Sequence, residues 1–253
     1  MSLTIRRAAR VLLLCSLPLF TQLADAAISL QKSRLVFDGD KRNASMTIRN
    51  TSNQLPYLAQ GWIEDAEGKK IRAPLLLLPP IQRIEPGEVS QIKIQAMPSA
   101  NLLRQDQETL FYLNLREIPP KNNLENTLNI TLQNRIKIFY RPIALKAPLS
   151  ELASPWHEKL RLEKEGNSWR IFNKSGYYIT LVDAKKQVKA PSVAAFEPVM
   201  LAPFSDSILP GEATDYGPRP VFTYINDYGG RPEVEFRCEA SSCSVAENRI
   251  PKN

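Results

Sequence analysis

The sequence is poor in the side chains that most enzymes use for chemistry. It contains a single histidine, His157, and no Ser/His/Asp or Cys/His arrangement can be completed without it. Three cysteines are present, and the two that lie far from the N-terminus are better explained by a bond to each other than by a metal. We therefore expect neither an enzyme nor a bound metal or other cofactor.

Long apolar runs are also lacking. The longest N-terminal run, residues 11–20, is well short of the ~20 residues that a membrane-spanning helix needs. It follows three arginines and precedes Ala24-Asp25-Ala26, whose small residues suit a signal peptidase. We expect residues 1–26 to be a secretory signal peptide, cleavage before Ala27, no membrane insertion, and an exported mature protein, for which the resemblance described below implies the periplasm.

Basic clusters interleaved with stacking aromatic residues are missing, so nucleic acid is a poor candidate partner. The formal net charge of the whole chain is +7. Arg6, Arg7, Arg10 and Asp25 account for +2 of this charge, which leaves about +5 on the mature chain. Both a solvated basic surface and a basic groove for an acidic chain end fit that charge.

What the sequence does contain is a rhythm of short strands throughout its length. Twenty prolines make long helices unfavourable. The predicted strands are residues 34–37, 44–49, 57–63, 89–95, 110–116, 128–140, 160–162, 169–172, 178–182, 221–224 and 234–238. Removal of the first 26 of the 253 residues leaves 227, which suits two sandwiches of ~100 residues each. Prolines near residues 142–150 indicate a connector, so we predict all-β domains at residues 27–145 and 146–253.

The two remaining cysteines of the mature chain are Cys238 and Cys243. An alternating run, residues 234–236, precedes them, so we predict a disulfide across the end of a hairpin. The oxidising periplasm favours that bond. Because the closed loop is short, its stabilisation should stay below the ~3 kcal/mol of a 15-residue loop.

Residues 128–141 form the longest alternation in the sequence. The apolar parity comprises Leu128, Ile130, Leu132, Ile136, Ile138 and Tyr140, and the polar parity comprises Asn129, Thr131, Gln133, Arg135 and Lys137. Asn134 is the one interruption of the apolar parity. The alternation predicts a strand with one apolar face, but it leaves open whether that face covers its own core or a partner.

Five sequence words identify a resemblance to the PapD-like periplasmic pilus chaperones. These words are Leu55-Pro56-Tyr57-Leu58-Ala59-Gln60, Arg83-Ile84-Glu85-Pro86-Gly87, Phe111-Tyr112-Leu113-Asn114-Leu115-Arg116-Glu117-Ile118-Pro119-Pro120, Phe139-Tyr140-Arg141-Pro142 and Tyr224-Ile225-Asn226-Asp227-Tyr228-Gly229-Gly230. The similarity runs from about residue 27 to residue 245 and is weakest over residues 183–217.

This resemblance implies two immunoglobulin-like β-sandwich domains set in an L with a cleft between them. It implies a chaperone that lends a strand to pilus subunits, both pilins and the tip adhesin, and delivers them to an outer-membrane usher. Leu128, Ile130 and Leu132 correspond in position to the donor-strand residues that plug the subunit's core. An exposed strand edge would also allow free copies of the chaperone to pair.

The resemblance further implies two sets of charged residues. Arg34 and Lys137 match the cations that bind the terminal carboxylate of a subunit. Glu108, Arg141 and Asp227 match a charge network between the domains, with a structural role.

Strict alternation places Lys137 on the parity opposite to the donor residues. Either the strand twists near Asn134 and re-aims the lysine, or the cleft lies round the edge from the donor face.

The competing interpretation is a pilus subunit or an adhesive β-sandwich module. A subunit should begin with a long alternating arm to donate to its neighbour, whereas only residues 27–32 precede the first strand word. A sugar-binding module should carry a cluster of aromatic residues, but Trp62, Trp156 and Trp169 are scattered. Both alternatives therefore fit the sequence less well than the chaperone does.

Overall fold

The computed structural model describes residues 27–121, 130–146 and 154–249. The predicted signal peptide and Leu128 lie outside these residues. The strands of the first half are β1 Ile28–Leu30, β2 Arg34–Asp38, β3 Asn43–Asn50, β4 Tyr57–Glu64, β5 Lys70–Ile71, β6 Leu75–Leu78, β7 Ile81–Ile84, β8 Val89–Ala96, β9 Thr109–Ile118 and β10 Gln133–Arg141. The strands of the second half are β11 Leu160–Glu165, β12 Ser168–Asn173, β13 Ile179–Lys185, β14 Val199–Leu201, β15 Asp206–Ile208, β16 Val221–Tyr224, β17 Glu233–Glu239 and β18 Ser242–Arg249.

Helical structure is almost absent from the described ranges. The one α-helix there, α1 Ala213–Tyr216, has four residues, and three short 3₁₀ turns accompany the strands. None of these helices is long and apolar enough to cross a membrane. The all-β prediction is therefore confirmed.

Strands β1 to β10 build two sheets around one core. One sheet has the order β1-β3-β8-β6, and the other has the order β2-β10-β9-β4-β5 with β7 paired to β4. Alternate residues of both sheets point into a shared apolar cluster that includes Phe37, Ile48 and Leu113, none of them measurably exposed. This burial explains the period-2 pattern of the sequence, because one face of each sheet covers the core and the other faces outward.

Strands β11 to β18 surround a second, separate core. They form one continuous ladder in the order β14-β13-β16-β17-β18-β11-β12-β15. The core contains Tyr216, Phe222 and Phe236, and Trp156 meets the ring of Tyr224 edge-on at 4.7 Å. Two cores make two domains, while the predicted division between residues 145 and 146 stays a prediction.

The predicted disulfide joins Cys238 to Cys243. These residues are cross-strand partners in the β17–β18 hairpin, next to its turn. The bond therefore fastens the register of a hairpin that the backbone ladder already forms.

Strand β10 is the element that connects the fold to the site. It pairs antiparallel with β9 from Gln133 to Tyr140 without a register shift, and parallel with β2 from Lys137 to Arg141. The strand begins at Gln133 rather than at residue 128 as the alternation predicted. One further ladder contact, from the Glu117 amide to the Leu132 carbonyl at 3.1 Å, extends its pairing with β9.

Candidate functional site

The parallel pairing of β2 with β10 brings two cations together. Arg34, the first residue of β2, is the direct partner of Lys137 in the ladder. Cross-strand partners project on the same side of a sheet, so the two side chains are neighbours. The sequence separates these residues by about a hundred positions, and the sheet topology joins them.

Arg34 is held in a buried position between the domains. Arg34 is only 7% exposed. Its Nη1 donates to the backbone carbonyl of Ile225 in the second domain at 3.1 Å. Its Nε is buried and has no hydrogen-bond acceptor. Burial lowers the pKa of Arg34, and the charges of Asp227 and Glu108 oppose that shift. The guanidinium therefore has a donor to offer to a further acceptor.

Lys137 is half-buried and has no hydrogen-bond or ion-pair partner among the described residues. Burial lowers the pKa of Lys137, and the adjacent charge of Arg34 lowers it further. Neither cation forms a direct ion pair with a described carboxylate, so the two like charges repel each other, and an anion placed between them would relieve that repulsion.

The second set of charged residues is fully paired. Arg141 donates from Nε to Glu108 at 2.8 Å, and from Nη1 and Nη2 to the two oxygens of Asp227 at 2.7 and 3.0 Å. Glu108 also accepts from the amide of Tyr178 at 2.8 Å. The structure thus brings together the three residues predicted to link the domains, and Arg141 spans from the first domain to the second.

Burial governs the protonation of this network. It raises the pKa of Glu108 to about 7, against the opposing charge of Arg141 and the Tyr178 amide. Burial also lowers the pKa of Arg141, but the hydrogen bond to Asp227 and the charge of Glu108 outweigh it, so the pKa is raised overall. Arg141 therefore keeps its charge and its two partners.

The edge of β10 that faces β2 is open over residues 133–136, and residues 130–132 lead into it. Strand β2 covers only Lys137 to Arg141, and no described strand pairs with the preceding residues on that side. Ile130 is 61% exposed and Leu132 is partly exposed, whereas Ile138, on the same parity, is fully buried in the first domain's core. Residues of one sequence parity are therefore exposed just before β10 and buried in the core farther along the strand.

The structure also decides where Lys137 points. Because the β9–β10 register is unbroken, no bulge interrupts the strand, and the alternation of its side chains continues through Asn134 to Lys137. Lys137 shares its parity with Phe139, whose ring lies 5.6 Å from that of Tyr178 in the second domain. Lys137 therefore lies on the face of β10 that packs toward the second domain, opposite to the face that carries the buried Ile138.

Three neighbours of the two cations were not singled out from the sequence. Phe139 lies under Arg34, with the guanidinium carbon 5.9 Å from the ring centroid, and Tyr178 packs on Phe139. Ile225 contacts Arg34 only through its backbone carbonyl, so the identity of its side chain could not predict this contact. Its position between Tyr224 and Asn226, in a segment that resembles the family, was the only feature that pointed to it.

The structure thus has two β domains joined by the Arg141–Asp227 ion pair, and an open strand edge that ends at two cations without an ion-pair partner among the described residues. Residues 27–146 match the family described as "Pili and flagellar-assembly chaperone, PapD N-terminal domain", and residues 155–236 match "Pili assembly chaperone PapD, C-terminal domain". The chain belongs to this family of periplasmic pilus-assembly chaperones.

Individual relatives agree with this assignment. The chain is 42% identical over 240 residues to the chaperone protein PapD of Escherichia coli, covering 94% of this chain and 98% of that protein. It is 37% identical over 231 residues to the chaperone protein PmfD of Proteus mirabilis, covering 90% of each. Among solved structures, the periplasmic chaperone SfaE matches with a TM-score of 0.66 and 27% identity, over 82% of this chain and 98% of that one.

Proposed function

We propose that this chaperone binds a pilus subunit along the open edge of β10 and holds the subunit's terminal carboxylate between Arg34 and Lys137. A sandwich that lacks a strand exposes unpaired backbone groups and apolar core, both costly in water. A strand laid beside residues 130–136 would pair those groups. Ile130 and Leu132, with Leu128 outside the described residues, would fill the subunit's core.

The direction of the added strand follows from the position of the two cations. They lie at the closed end of the open edge, where β2 begins at Arg34. A subunit strand that covers residues 130–136 and ends at these cations must run in the same direction as β10. It would then lie in line with β2, which is itself parallel to β10.

One observation carries the proposal. Lys137 lacks a partner among the described residues, and the buried Nε of Arg34 lacks an acceptor. A carboxylate has two acceptor oxygens, and charge-assisted hydrogen bonds to it are the strong ones. Arg34 offers a planar set of donors and Lys137 a compact ammonium, so together they can bind both oxygens of a carboxylate.

The remaining parts of the function follow from the family. The bound subunits are pilins and the tip adhesin, and the chaperone delivers them to the outer-membrane usher. Glu108, Arg141 and Asp227 have the structural role of orienting the two domains around the site. Copies without a subunit would retain the same adhesive edge, so self-association of the free chaperone is part of the proposal.

Lys137→Ala tests the anchor. We expect a folded protein that no longer co-purifies with its subunits, because the terminal carboxylate would lose a cation in a shielded site, at a cost of about 2–5 kcal/mol. The matched control is Lys93→Ala, an exposed lysine on β8 of the same domain. Normal subunit recovery with Lys137→Ala would contradict the anchor.

A further inference from the structure

The carboxylate of Glu117 is buried without a cation. This residue near the end of β9 is 6% exposed, and no lysine, arginine or histidine of the described ranges forms an ion pair with it. Its Oε2 accepts from the amide of Ile28 at 2.9 Å, and its Oε1 accepts from the amide of Leu132 at 3.4 Å. One side chain thus connects the first strand of the domain to the beginning of the donor edge.

Asn134, which interrupts the apolar parity of β10, completes this connection. Its Nδ2 donates to the carbonyl of Ile28 at 3.1 Å. The backbone amide of Ile28 therefore donates to Glu117 of β9, and the backbone carbonyl of Ile28 accepts from Asn134 of β10. An apolar residue at position 134 could not make this contact, which explains the interruption.

A buried carboxylate is unfavourable unless it is paired or well hydrogen-bonded. The backbone nitrogen of Ala27 lies next to that of Ile28, and adjacent backbone nitrogens are at most about 3.6 Å apart. The Ala27 nitrogen is therefore within about 6.5 Å of Glu117 Oε2. Ala27 is itself 8% exposed, and its carbonyl accepts from the Thr51 amide at 2.7 Å, which fixes its place.

We propose that Glu117 receives the α-ammonium group of the chain processed before Ala27, and that this ion pair positions Leu132 at the start of the donor strand. In the unprocessed chain the same nitrogen is a neutral amide, so removal of the signal peptide would supply the missing cation. The positioning role rests on the proposed donor function, and the ion pair rests on the predicted cleavage site.

The first test is a titration of the α-amino group in the free, processed protein, whose first residue is verified by intact mass. We expect the pKa of this group to lie at least about one unit above the ordinary ~7.7–8.0, because an opposite charge within reach favours the protonated form. Glu117→Gln should return the pKa to the ordinary range. The control Glu85→Gln, an exposed carboxylate paired with Arg83, should leave the raised value unchanged.

The second test measures hydrogen exchange at the Leu132 amide. A form that keeps Ala24-Asp25-Ala26 ahead of Ala27, prepared with a cleavable leader, moves the charge away without altering Glu117. We expect this form and Glu117→Gln to exchange at Leu132 about tenfold faster than the processed protein, with Glu85→Gln unchanged.

An α-amino pKa in the ordinary range, or equal exchange at Leu132 in the processed and extended forms, would overturn the inference. If Glu117→Gln fails to fold, hydrogen exchange at Leu132 in the processed and the extended protein still tests the ion pair. Neither measurement involves a subunit. Failure of subunit binding by this site would therefore show in the Lys137→Ala experiment and not here.

Discussion

Lys137 and Arg141 lie four residues apart on the same face of β10, yet their surroundings are opposite. Arg141 has a carboxylate on each side and spans the two domains. Lys137 has another cation beside it and no partner among the described residues. Burial alone does not distinguish a structural charge from a binding charge. The presence or absence of a counter-ion in the free protein does.

Removal of the paired charge should have the largest effect. Arg141→Ala would leave Glu108 buried without its cation, and we expect the free energy of unfolding to fall by about 3–5 kcal/mol. Urea denaturation measures this loss. Arg104→Ala, which removes an exposed arginine paired with Asp106, is the matched control and should change stability little. Equal losses of stability in Arg141→Ala and Arg104→Ala would contradict the structural role of Arg141, and with it the contrast to Lys137.

The exposed residue Ile130, just before β10, allows subunit binding to be separated from the stability of the free chaperone. Ile130→Ala should weaken subunit binding by no more than about 2–3 kcal/mol, the value of burying one such side chain. Its effect on the stability of the free chaperone should stay within about 0.5 kcal/mol. Leu102→Ala, at an 87% exposed position of the same domain, should affect neither property. A large loss of stability in Ile130→Ala would place that side chain in the chaperone's own core.

The smallest expected effect concerns pH. Because burial and Arg34 lower the pKa of Lys137, its ammonium is lost at a lower pH than that of an exposed lysine. The binding of a carboxylate needs the protonated form, so the affinity for a subunit should fall in the alkaline range, where free Lys137 loses its proton. Lys137→Arg keeps its charge over this range and should show a flatter profile. An identical alkaline profile in both proteins would exclude Lys137 as the titrating group.

Most of the first domain could be predicted because its strands alternate clearly. Five of its strands were predicted within about two residues at each end. Strands β1, β5, β6 and β7, each of two to four residues, were not predicted; in β6, Leu75–Leu78, four consecutive leucines show no alternation. Short edge strands are specified by their neighbours in the sheet rather than by their own pattern.

Three strands of the second domain were not predicted: the eight-residue β18, which lies inside the ladder, and two short strands. Strands β14 and β15 have three residues each and lie at the two ends of the eight-stranded ladder. They fall in residues 183–217, where the resemblance was weakest. Their pairing with β13 and β12 is long-range and leaves no local signal in the sequence.

The site shows a different limit of sequence reasoning. The motifs supplied Arg34, Lys137, Glu108, Arg141 and Asp227, and the structure brings these residues together in two clusters. The sequence could not show that the cation of one cluster, Arg141, is paired with carboxylates while the cations of the other cluster are not. That difference depends on distances across the domain interface. The reason for Asn134 was also hidden, since its partner is a backbone carbonyl 106 residues away.

The start of β2 at Arg34 has a consequence for substrate selection. An adhesive strand edge in the periplasm could capture any unfolded polypeptide that passes. Here β2 occupies the continuation of that edge, so a bound segment meets a backbone stop after residue 136 and cannot thread further. An internal stretch of a longer chain would have to turn away at this stop, whereas a chain that terminates there fits. In the proposed binding mode, the start of β2 therefore favours a segment that terminates at the two cations over an internal segment of a longer chain.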